Sequence, residues 1–328
     1  MSRVSLTMIV RDEESNLPRC LRSVAGMFDE IVIVDTGSRD RTREIARSFG
    51  AQVFDFEWVD SFSAARNLAL DQATGDYAFW LDADDELLPP DREKLQILFD
   101  SLRPDDPAAY APRYDSLNSD GELYSWAQVR LWPRIPRGRW TRRVHEFLQS
   151  DLFYGAIPVR HAFDITITHH GYLDDVKVFS KRRRNLALLL AELAEHDDKG
   201  FDPLTMHCLA TVCYGWGEST LALQCYSLAI RESMRPARIA EIVRLQAHCL
   251  HRLGRHVEAM KRSDLACRLD PTDPHVWRYK GISYGYVGDY ISMAWCLCRA
   301  LDLSRPGEFV DVGSCVFLPA FLQEAAET

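Results

Sequence analysis

Four acidic side chains occupy five positions after an apolar run in the segment YAFWLDADDELL, residues 77–88: Asp82, Asp84, Asp85 and Glu86. The apolar run predicts a buried strand. Acidic groups crowded at its end repel each other and lose hydration unless positive charge lies among them. A bound cation, a nearby group of arginines or plain water would each meet that requirement.

Asp82 and Asp84 are two residues apart, so in an extended segment their carboxylates project to the same side. Two hard oxygen ligands that leave most of a coordination sphere open suit Mg²⁺ or Mn²⁺ bridged to the phosphates of a substrate. A solvated acidic loop is the alternative interpretation of the same residues. The spacing therefore supports a metal site as a hypothesis.

Two further segments carry residues with a chemical use. In VDTGSRD, residues 34–40, Asp35 ends a predicted strand and can accept hydrogen bonds from a base or a ribose. Ser38 or Asp40 in the same segment suits the N-cap of the following helix. Arg66 lies early in a later helix, where it can contact a diphosphate or pair with the acids.

The elements that position these residues alternate along the first 100 residues. Strands are predicted at 4–10, 30–36, AQVFDF and DYAFWLD, with helices at 16–27, 39–50 and through SAARNLALDQA. This alternation predicts a parallel sheet with helices on both faces. Ligands of such sheets bind at the carboxyl ends of the strands, so we expect Asp35 and Asp82 to share one edge. From 108 to about 170 a hairpin around NSDG predicts an appended antiparallel section.

From about 176 onward the pattern is helical and repeats. Gly217, Gly254 and Gly288 align, and small residues recur at fixed offsets from them: Ala222 and Ala259; Ala229, Ala266 and Ala300; Ala210, Ala247 and Gly281. A period near 34 residues with small residues where helices cross resembles tetratricopeptide repeats, although the first two units are 37 residues apart. Three such repeats would stack into a solenoid with a concave surface suited to a protein partner.

Length and composition set the remaining limits. A chain of 328 residues is longer than one hydrophobic core usually serves, so we expect two domains, 1–175 and 176–328. The net charge of −9 gives no sign of a nucleic-acid binder. No apolar run is long enough for a transmembrane segment, and the first residues do not resemble a signal peptide. Nine cysteines without metal-type spacing indicate free thiols, and hence a cytoplasmic protein.

Several blocks in order resemble glycosyltransferase family 2 enzymes of the GT-A fold: MIVRDEESNLPRCLRSV, EIVIVDTGSRDRTREIA, FSAARNLALDQATGDYAFWLDADDELL and RRVHEFL. The block ITHHGYLDDVKVFSKRRRNLALLLAEL, followed by the repeats, resembles the bacterial subgroup with C-terminal tetratricopeptide repeats. The resemblance implies an α/β GT-A domain, Rossmann-like and nucleotide-sugar-binding, followed by an all-α tetratricopeptide-repeat solenoid.

The resemblance also implies a nucleotide-sugar donor, usually a UDP-sugar, and a divalent metal, Mn²⁺ or Mg²⁺. By this analogy Asp35 binds the uridine, Asp82 the ribose or the metal through water, and Asp84 the metal. His169 returns to the metal or the diphosphate, or else serves as a structural histidine. The other donor-binding candidates in the matching blocks are Val10, Arg11, Glu13, Arg66 and His145.

An inverting sugar transfer also needs a base that removes the proton of the acceptor as it attacks. Glu146, in the block RRVHEF, is the first candidate by resemblance, and Asp85 is the second. An ion pair with Arg142 or Arg143 is the alternative role for Glu146. The acceptor would be a glycan, a peptide or a protein.

Two rival functions remain at this stage. A nucleotidyltransferase also uses paired acids and a divalent ion, but RDEESN offers one arginine and three acids where such enzymes want a Gly-rich basic loop. The second rival is a scaffold whose repeats bind a partner while the sugar-nucleotide domain is inactive. The repeats would hold an acceptor or a protein partner, or form a homo-oligomer.

Overall fold

The computed structural model describes residues 2–117, 123–135, 138–149, 157–171, 175–195, 202–232 and 234–304. The chain divides into two compact units, Met1–Leu188 and Leu189–Thr328. The division falls inside helix α5, Asp175–Glu195, a little beyond the predicted end of the first domain at residue 175.

The first unit begins with alternating strands and helices: β1 (Val4–Val10), α1 (Leu17–Ser23), β2 (Glu30–Asp35), α2 (Thr42–Ser48), β3 (Gln52–Asp55), α3 (Phe62–Gln72) and β4 (Tyr77–Trp80). The four strands pair in parallel in the order β3-β2-β1-β4. Strands β1, β2 and β4 are largely apolar and buried, as expected when helices cover both faces of a parallel sheet. The predicted alternation is thus present, with helices shorter than expected.

The second part of this unit adds β5 (Asp85–Glu86), α4 (Pro89–Ser101), β6 (Ala109–Leu117), β7 (Leu123–Ala127), β8 (Leu131–Pro133), β9 (Arg139–Thr141), β10 (Phe147–Gln149) and β11 (Val159–His169). The main sheet continues from β4 in the order β8-β6-β11-β5, and β7 pairs antiparallel with β6 as predicted. The NSDG turn between them lies outside the described residues. Since β8 is antiparallel to both β4 and β6, the whole sheet is mixed.

The pairing of two short segments brings distant residues to one place. Strand β5 pairs antiparallel with the end of β11, which sets His169 opposite Asp85. At the other side of β4, the last residues of β1 and β2 are opposite each other, Val10 beside Asp35. The carboxyl ends of the central strands therefore carry both acidic segments, as the strand order requires.

A cluster of three tryptophans fills the space between β4, β8 and β9. Trp80, Trp132 and Trp140 are all buried, and the ring of Trp140 lies 5.4 Å from each of the other two. Their edge-to-face arrangement is a favourable geometry for aromatic pairs. These tryptophans belong to the core of the unit, next to the residues of the acidic edge.

In the described part of the second unit, six helices follow α5: α6 (Pro203–Gly215), α7 (Ser219–Ala229), α8 (Pro236–Arg252), α9 (His256–Leu269), α10 (Pro274–Tyr286) and α11 (Tyr290–Leu303). They form three consecutive hairpins, α6–α7, α8–α9 and α10–α11. Gly217, Gly254 and Gly288 lie in the three turns with φ of 89°, 71° and 79°, values that favour glycine. The predicted small positions are buried between the helices. None of the helices in the described ranges combines the length and apolar character needed to cross a membrane.

Candidate active site

Asp85 is the centre of a buried hydrogen-bond network. Its side chain is fully buried and accepts hydrogen bonds from Arg130 Nη1 at 2.9 Å, from the Tyr114 hydroxyl at 3.0 Å and from the Asp82 backbone N–H at 2.9 Å. His169 Nδ1 lies 2.8 Å from Oδ1 of the same carboxylate. A carboxylate with this many hydrogen-bond partners and no exposed surface is fixed in position and has little capacity left for a further partner. The geometry argues against Asp85 as a base that meets an acceptor.

Arg130 neutralises this centre from within the core. Its side chain is 1% exposed, and its guanidinium carbon lies 3.6 Å from the Trp80 ring centroid and 4.4 Å from that of Tyr114. Stacking on aromatic rings is a favourable environment for a buried guanidinium. Sequence analysis did not pair Arg130 or Tyr114 with Asp85, because neither residue carries a local signal for that contact.

Asp84 and His169 face a common space beside Gly171. A Cβ built on Gly171 would collide with both Asp84 Oδ2 and His169 Nε2, so the glycine keeps this space open. With Nδ1 of His169 donating to Asp85, Nε2 carries the lone pair that a metal needs, and the carboxylate behind it fixes the ring. Asp84, Asp85 and His169 each offer a ligand atom, and these atoms lie within 4.8 Å of one another.

This donor set fits a divalent cation. Carboxylate oxygens suit Mg²⁺ and Mn²⁺, and the imidazole favours Mn²⁺ because Mg²⁺ prefers oxygen ligands. Burial would lower the pKa of His169, but its hydrogen bond to Asp85 and the charge of Asp84 outweigh burial and raise the pKa. Lys181 of α5 also reaches Asp84, with Nζ 3.4 Å from Oδ2. Asp84 and Asp85 thus favour positive charge in the space beside His169 and Lys181.

Arg66 joins the acidic segment to Glu146. Arg66 lies in α3. The Ser61 side chain caps the N-terminus of this helix by accepting a hydrogen bond from the Ala64 N–H. Arg66 Nη2 donates to Asp82 Oδ1 at 3.0 Å, and Nε donates to Glu146 Oε1 at 2.7 Å. The arginine is buried over the Trp80 ring, 4.4 Å from its centroid. One guanidinium therefore holds two of the predicted site carboxylates.

The two carboxylates held by Arg66 keep access to solvent. The Asp82 side chain is 33% exposed and that of Glu146 is 14% exposed. Burial would raise the pKa of Asp82, but Arg66, Arg130 and His169 lower it to about 2. Glu146 Oε2 accepts no hydrogen bond from the described part of the chain. The ion pair of Glu146 is with Arg66, not with Arg142 or Arg143 as the alternative from the sequence had it.

Asp35 lies at the end of the neighbouring strand β2 and has one oxygen without a partner. Oδ1 accepts from the backbone N–H groups of Gly37 and Ser38 at 3.1 and 2.9 Å. Oδ2 is buried and has no hydrogen bond within the described residues. An unsatisfied buried carboxylate oxygen is costly, so it marks a place where a ligand can donate.

The other predicted donor-binding residues are distributed along this edge. Val10 is buried beside Asp35, and its carbonyl accepts from the Thr36 N–H at 2.9 Å. Arg11 is exposed just beyond it, whereas the Glu13 carboxylate accepts from Asn16 at 2.8 Å at the start of α1. His145 is exposed and has a φ of 52° in the loop that carries Glu146. Val10 thus lies beside Asp35 across the sheet, and His145 directly precedes Glu146 in the chain.

The class of the first unit follows from this site and from its sequence. Residues 5–164 match the family described as Glycosyl transferase family 2. This segment of the chain is a glycosyltransferase family 2 domain, and its mixed sheet with parallel central strands is GT-A-like.

Relatives extend the comparison. A TPR repeat-containing protein of Synechococcus elongatus is 41% identical over 160 residues, which cover 46% of this chain and 37% of the relative. The SPbeta prophage-derived glycosyltransferase SunS of Bacillus subtilis is 26% identical over 193 residues, 56% of this chain and 44% of the relative. An uncharacterized glycosyltransferase of Rickettsia prowazekii is 30% identical over 110 residues, 34% of this chain and 37% of the relative. The chain spans under half the length of each.

Among solved structures, S. aureus TarS 1–349 in complex with UDP-GlcNAc aligns with 92% of this chain and 92% of its own. The sequence identity is 13% and the TM-score is 0.43. This score is too low to establish a common fold, and the family match carries the assignment.

Proposed function

We propose that the protein is a metal-dependent, inverting glycosyltransferase that uses a nucleotide-sugar donor, most simply a UDP-sugar. The observation that carries the proposal is the grouping of carboxylate and imidazole atoms that could act as ligands along one sheet edge. Asp84 and His169 face the space beside Gly171, and Asp35 presents an unpartnered oxygen at the end of β2. The family match over residues 5–164 supports sugar transfer as the chemistry.

The proposed roles divide the donor into three parts. Asp35 Oδ2 accepts a hydrogen bond from the base, and the N3–H of uracil is a suitable donor. Asp82, one third exposed beside Arg66, contacts the ribose or a metal-bound water. Asp84 and His169 hold Mn²⁺ or Mg²⁺, and a cation there would stabilise the negative charge that develops on the leaving diphosphate. Lys181, already beside Asp84, adds positive charge at the same place.

Glu146 is the proposed base. Its Oε1 is held by Arg66, while Oε2 remains able to take the proton of an acceptor hydroxyl. The ion pair with Arg66 fixes the position of this carboxylate. In an inverting displacement the acceptor oxygen bonds to the anomeric carbon, the bond to the diphosphate breaks, and the proton passes to Glu146. The acceptor would be a glycan, a peptide or a protein.

The compartment belongs to the same proposal. Cysteines in the described part of the chain are all free thiols, and seven of the eight are buried. Free thiols are the normal state in reducing compartments, which supports a cytoplasmic protein with a cytoplasmic supply of activated sugars.

Thermal melting of the purified chain with Mn²⁺ and UDP, dTDP, GDP or CDP, each with and without chelator, tests the proposal. A ligand at about 100 times its Kd stabilises a protein by roughly 2.7 kcal/mol. We expect a metal-dependent rise with UDP and none with CDP, because cytosine has no N–H at ring position 3. Asp84→Asn should lose the Mn²⁺ dependence, and Asp100→Asn, an exposed residue of α4, should keep it.

The opposite results are equally informative. If no nucleotide raises the melting temperature of the wild-type chain with or without Mn²⁺, the donor site is inactive and the scaffold function takes its place. If Asp84→Asn keeps the full Mn²⁺ effect, the metal ligands have been misassigned.

A further inference from the structure

An aromatic pair, Trp58 and Phe62, lies beside the loop that carries Glu146. Both side chains are half-buried, and their rings meet edge to face with centroids 4.9 Å apart. Phe62 begins α3, and Arg66 follows it by one helical turn, so the two side chains are neighbours on the surface of the helix. Arg66 holds both Glu146 and Asp82. Phe62 is therefore one turn of α3 away from the guanidinium that fixes the proposed base.

Helix α5 connects the same aromatic pair to the candidate metal site. Lys181 Nζ lies 3.4 Å from Asp84 Oδ2, and the guanidinium carbon of Arg184, one turn later, lies 4.7 Å from the Phe62 ring centroid. Residues one turn apart on a helix have Cβ atoms about 5–6 Å from each other. All of these residues belong to the first unit. The aromatic pair is thus close to the metal candidates as well as to the loop of Glu146.

Two loops with unusual backbone conformations hold the pair in place. Asp60 has a φ of 55°, and Arg142 and His145 in the other loop have φ of 81° and 52°. The loops are joined by hydrogen bonds, because the Phe62 N–H donates to the Arg143 carbonyl at 2.8 Å and Arg143 Nη1 donates to the Asp60 carbonyl at 3.0 Å. Left-handed backbone at residues other than glycine is disfavoured, and it is found preferentially at functional sites.

Charged groups surround the apolar surface of the pair. Trp58 Nε1 donates to Asp60 Oδ1 at 2.8 Å, so the one polar atom of the indole already has a partner. The exposed Asp60 carboxylate accepts no hydrogen bond at Oδ2 from the described part of the chain. Arg184, also exposed, lies over the Phe62 ring. The arrangement is a flat apolar surface with a hydrogen-bond acceptor and donors at its edge.

We propose that Trp58 and Phe62 form the acceptor subsite of the enzyme and bind a pyranose ring, which makes the acceptor a glycan. The proposal rests on the function proposed above, because it places the acceptor beside Glu146. A pyranose presents C–H bonds on its faces and hydroxyl groups around its edge. The aromatic rings contact a C–H face, while Asp60 accepts from the hydroxyl groups and Arg184 donates to them.

An apolar side chain of a peptide is the alternative occupant of this surface. Such a side chain binds best in a pocket that removes water from several sides. Trp58 and Phe62 are instead half-buried and lie among charged side chains, which would lose hydration beside an apolar group without gaining a hydrogen bond. The hydroxyl groups of a sugar replace the lost water, so the surroundings favour the pyranose.

Saturation-transfer difference NMR on the full chain with Mg²⁺ and UDP tests the proposal. The probes are methyl β-D-glucopyranoside, methyl β-D-galactopyranoside and the methyl β-glycoside of N-acetylglucosamine. Sorbitol, which has similar hydroxyl groups but no ring face, is the matched control ligand, and N-acetyl-Ser-Leu-Ser-amide represents the alternative occupant. We expect saturation of the pyranosides, strongest on the axial protons of one ring face, and none of sorbitol or the peptide.

Variants assign the signal to the aromatic pair. Trp58→Leu should weaken pyranoside binding roughly two- to tenfold, because one aromatic contact is lost. Trp58→Phe keeps an aromatic ring and should lose less affinity, and it provides the comparison if the leucine variant melts early. Trp295→Leu removes an exposed tryptophan of α11 in the second unit and should bind the pyranosides as the wild type does.

The UDP signal separates failure of this subsite from failure of the proposed function. Saturation of UDP without any pyranoside, unchanged pyranoside affinity in a folded Trp58→Leu variant, or binding of the peptide in place of the pyranosides would each overturn the subsite and leave the donor site standing. Pyranoside signals that Trp58→Leu weakens, in the absence of a UDP signal, would support a sugar site and overturn the nucleotide-sugar donor. The absence of both signals would overturn both proposals.

Discussion

Asp35, the last residue of β2, and Asp85, the first residue of β5, are both buried carboxylates of the same sheet, yet their surroundings differ. Asp85 accepts hydrogen bonds from Arg130, Tyr114 and a backbone N–H, and contacts His169. Asp35 uses one oxygen to accept from the turn after β2 and leaves the other buried without a partner. A fully satisfied buried charge organises its neighbours, whereas a half-satisfied one can still bind a ligand.

Asp84 and Glu146 can be compared in the same way, by how much of their hydrogen-bonding capacity the protein already uses. Asp84 faces the space beside Gly171 together with His169, while Glu146 has one oxygen on Arg66 and one open. The residues with remaining capacity are the ones for which we propose contacts with donor, metal or acceptor. The residue without such capacity, Asp85, fixes the positions of Arg130 and His169. Replacing each carboxylate by its amide separates these roles.

The largest effect is expected for Asp85→Asn, and it is an effect on stability. The substitution leaves Arg130, 1% exposed, as a buried charge without its carboxylate. Loss of one partner of a buried ion pair costs about 3–5 kcal/mol of unfolding free energy. Chemical denaturation followed by circular dichroism measures it. Asp106→Asn is the control, because its pair with Arg160 is exposed and should contribute less than about 1 kcal/mol. Equal costs for the two variants would contradict the structural role of Asp85.

Glu146→Gln should reduce turnover and leave donor binding intact. Glutamine can still accept from Arg66, so the loop keeps its position, but it cannot take a proton. A positioned base contributes typically about 10²–10⁴ in rate, and kcat should fall by that range. Release of the nucleoside diphosphate from the cognate donor and acceptor measures it, with nucleotide Kd as the control. Turnover close to that of the wild type would show that another group takes the proton.

Asp35→Asn should weaken nucleotide binding without weakening the fold. The amide keeps an acceptor for the N–H groups of Gly37 and Ser38 but points a donor at the N3–H of uracil. Leaving a buried donor unsatisfied costs about 1–3 kcal/mol, which corresponds to roughly a 5- to 150-fold rise in the Kd of UDP. Calorimetry with UDP measures it, and pyrophosphate with Mn²⁺, which lacks the base, should bind the variant and the wild type alike. An unchanged Kd for UDP would remove Asp35 from the donor site.

The parts predicted from the sequence are those with local signals. Apolar runs and helix periodicity predicted the alternating elements, and the strand order placed Asp35 and Asp82 at the same edge. The aligned glycines and the small residues at fixed offsets predicted a repeating helical second half. In each case the signal lies within one element or in a regular spacing along the chain, where periodicity and turn chemistry are informative.

The contacts that define the site are long-range and were not predictable in this way. Arg66 and Glu146 are 80 residues apart, and Arg130 is 45 residues from Asp85. Glu146 comes from a loop in which Arg142 and His145 have positive φ values, a conformation that residue preferences disfavour. The sequence therefore suggested neighbours for Glu146 in Arg142 and Arg143, while the folded chain supplies Arg66 from another element.

His248 in the second unit is buried near like charges, whereas Asp85 is buried against an opposite charge. The pH dependence of the unfolding free energy tests this difference. Asp85 is buried against the opposite charge of Arg130, whereas burial and basic neighbours lower the pKa of His248 to about 3. Above pH of about 6.5 the imidazole is neutral in both folded and unfolded chains and contributes nothing to the pH dependence. Below that pH, the His248 imidazole of the unfolded chain binds a proton, whereas in the folded chain it stays neutral down to about pH 3. Stability should therefore fall as the pH falls through this window.

The expected loss from pH 7 to pH 5 is roughly 1–2 kcal/mol of unfolding free energy for this histidine. Denaturant titrations at the two pH values measure it, and His248→Gln should reduce the difference. His161→Gln, which removes an exposed histidine of β11 in the first unit, should leave the difference unchanged. If His248→Gln retains the whole pH dependence, the positive environment around His248 is weaker than its neighbours indicate.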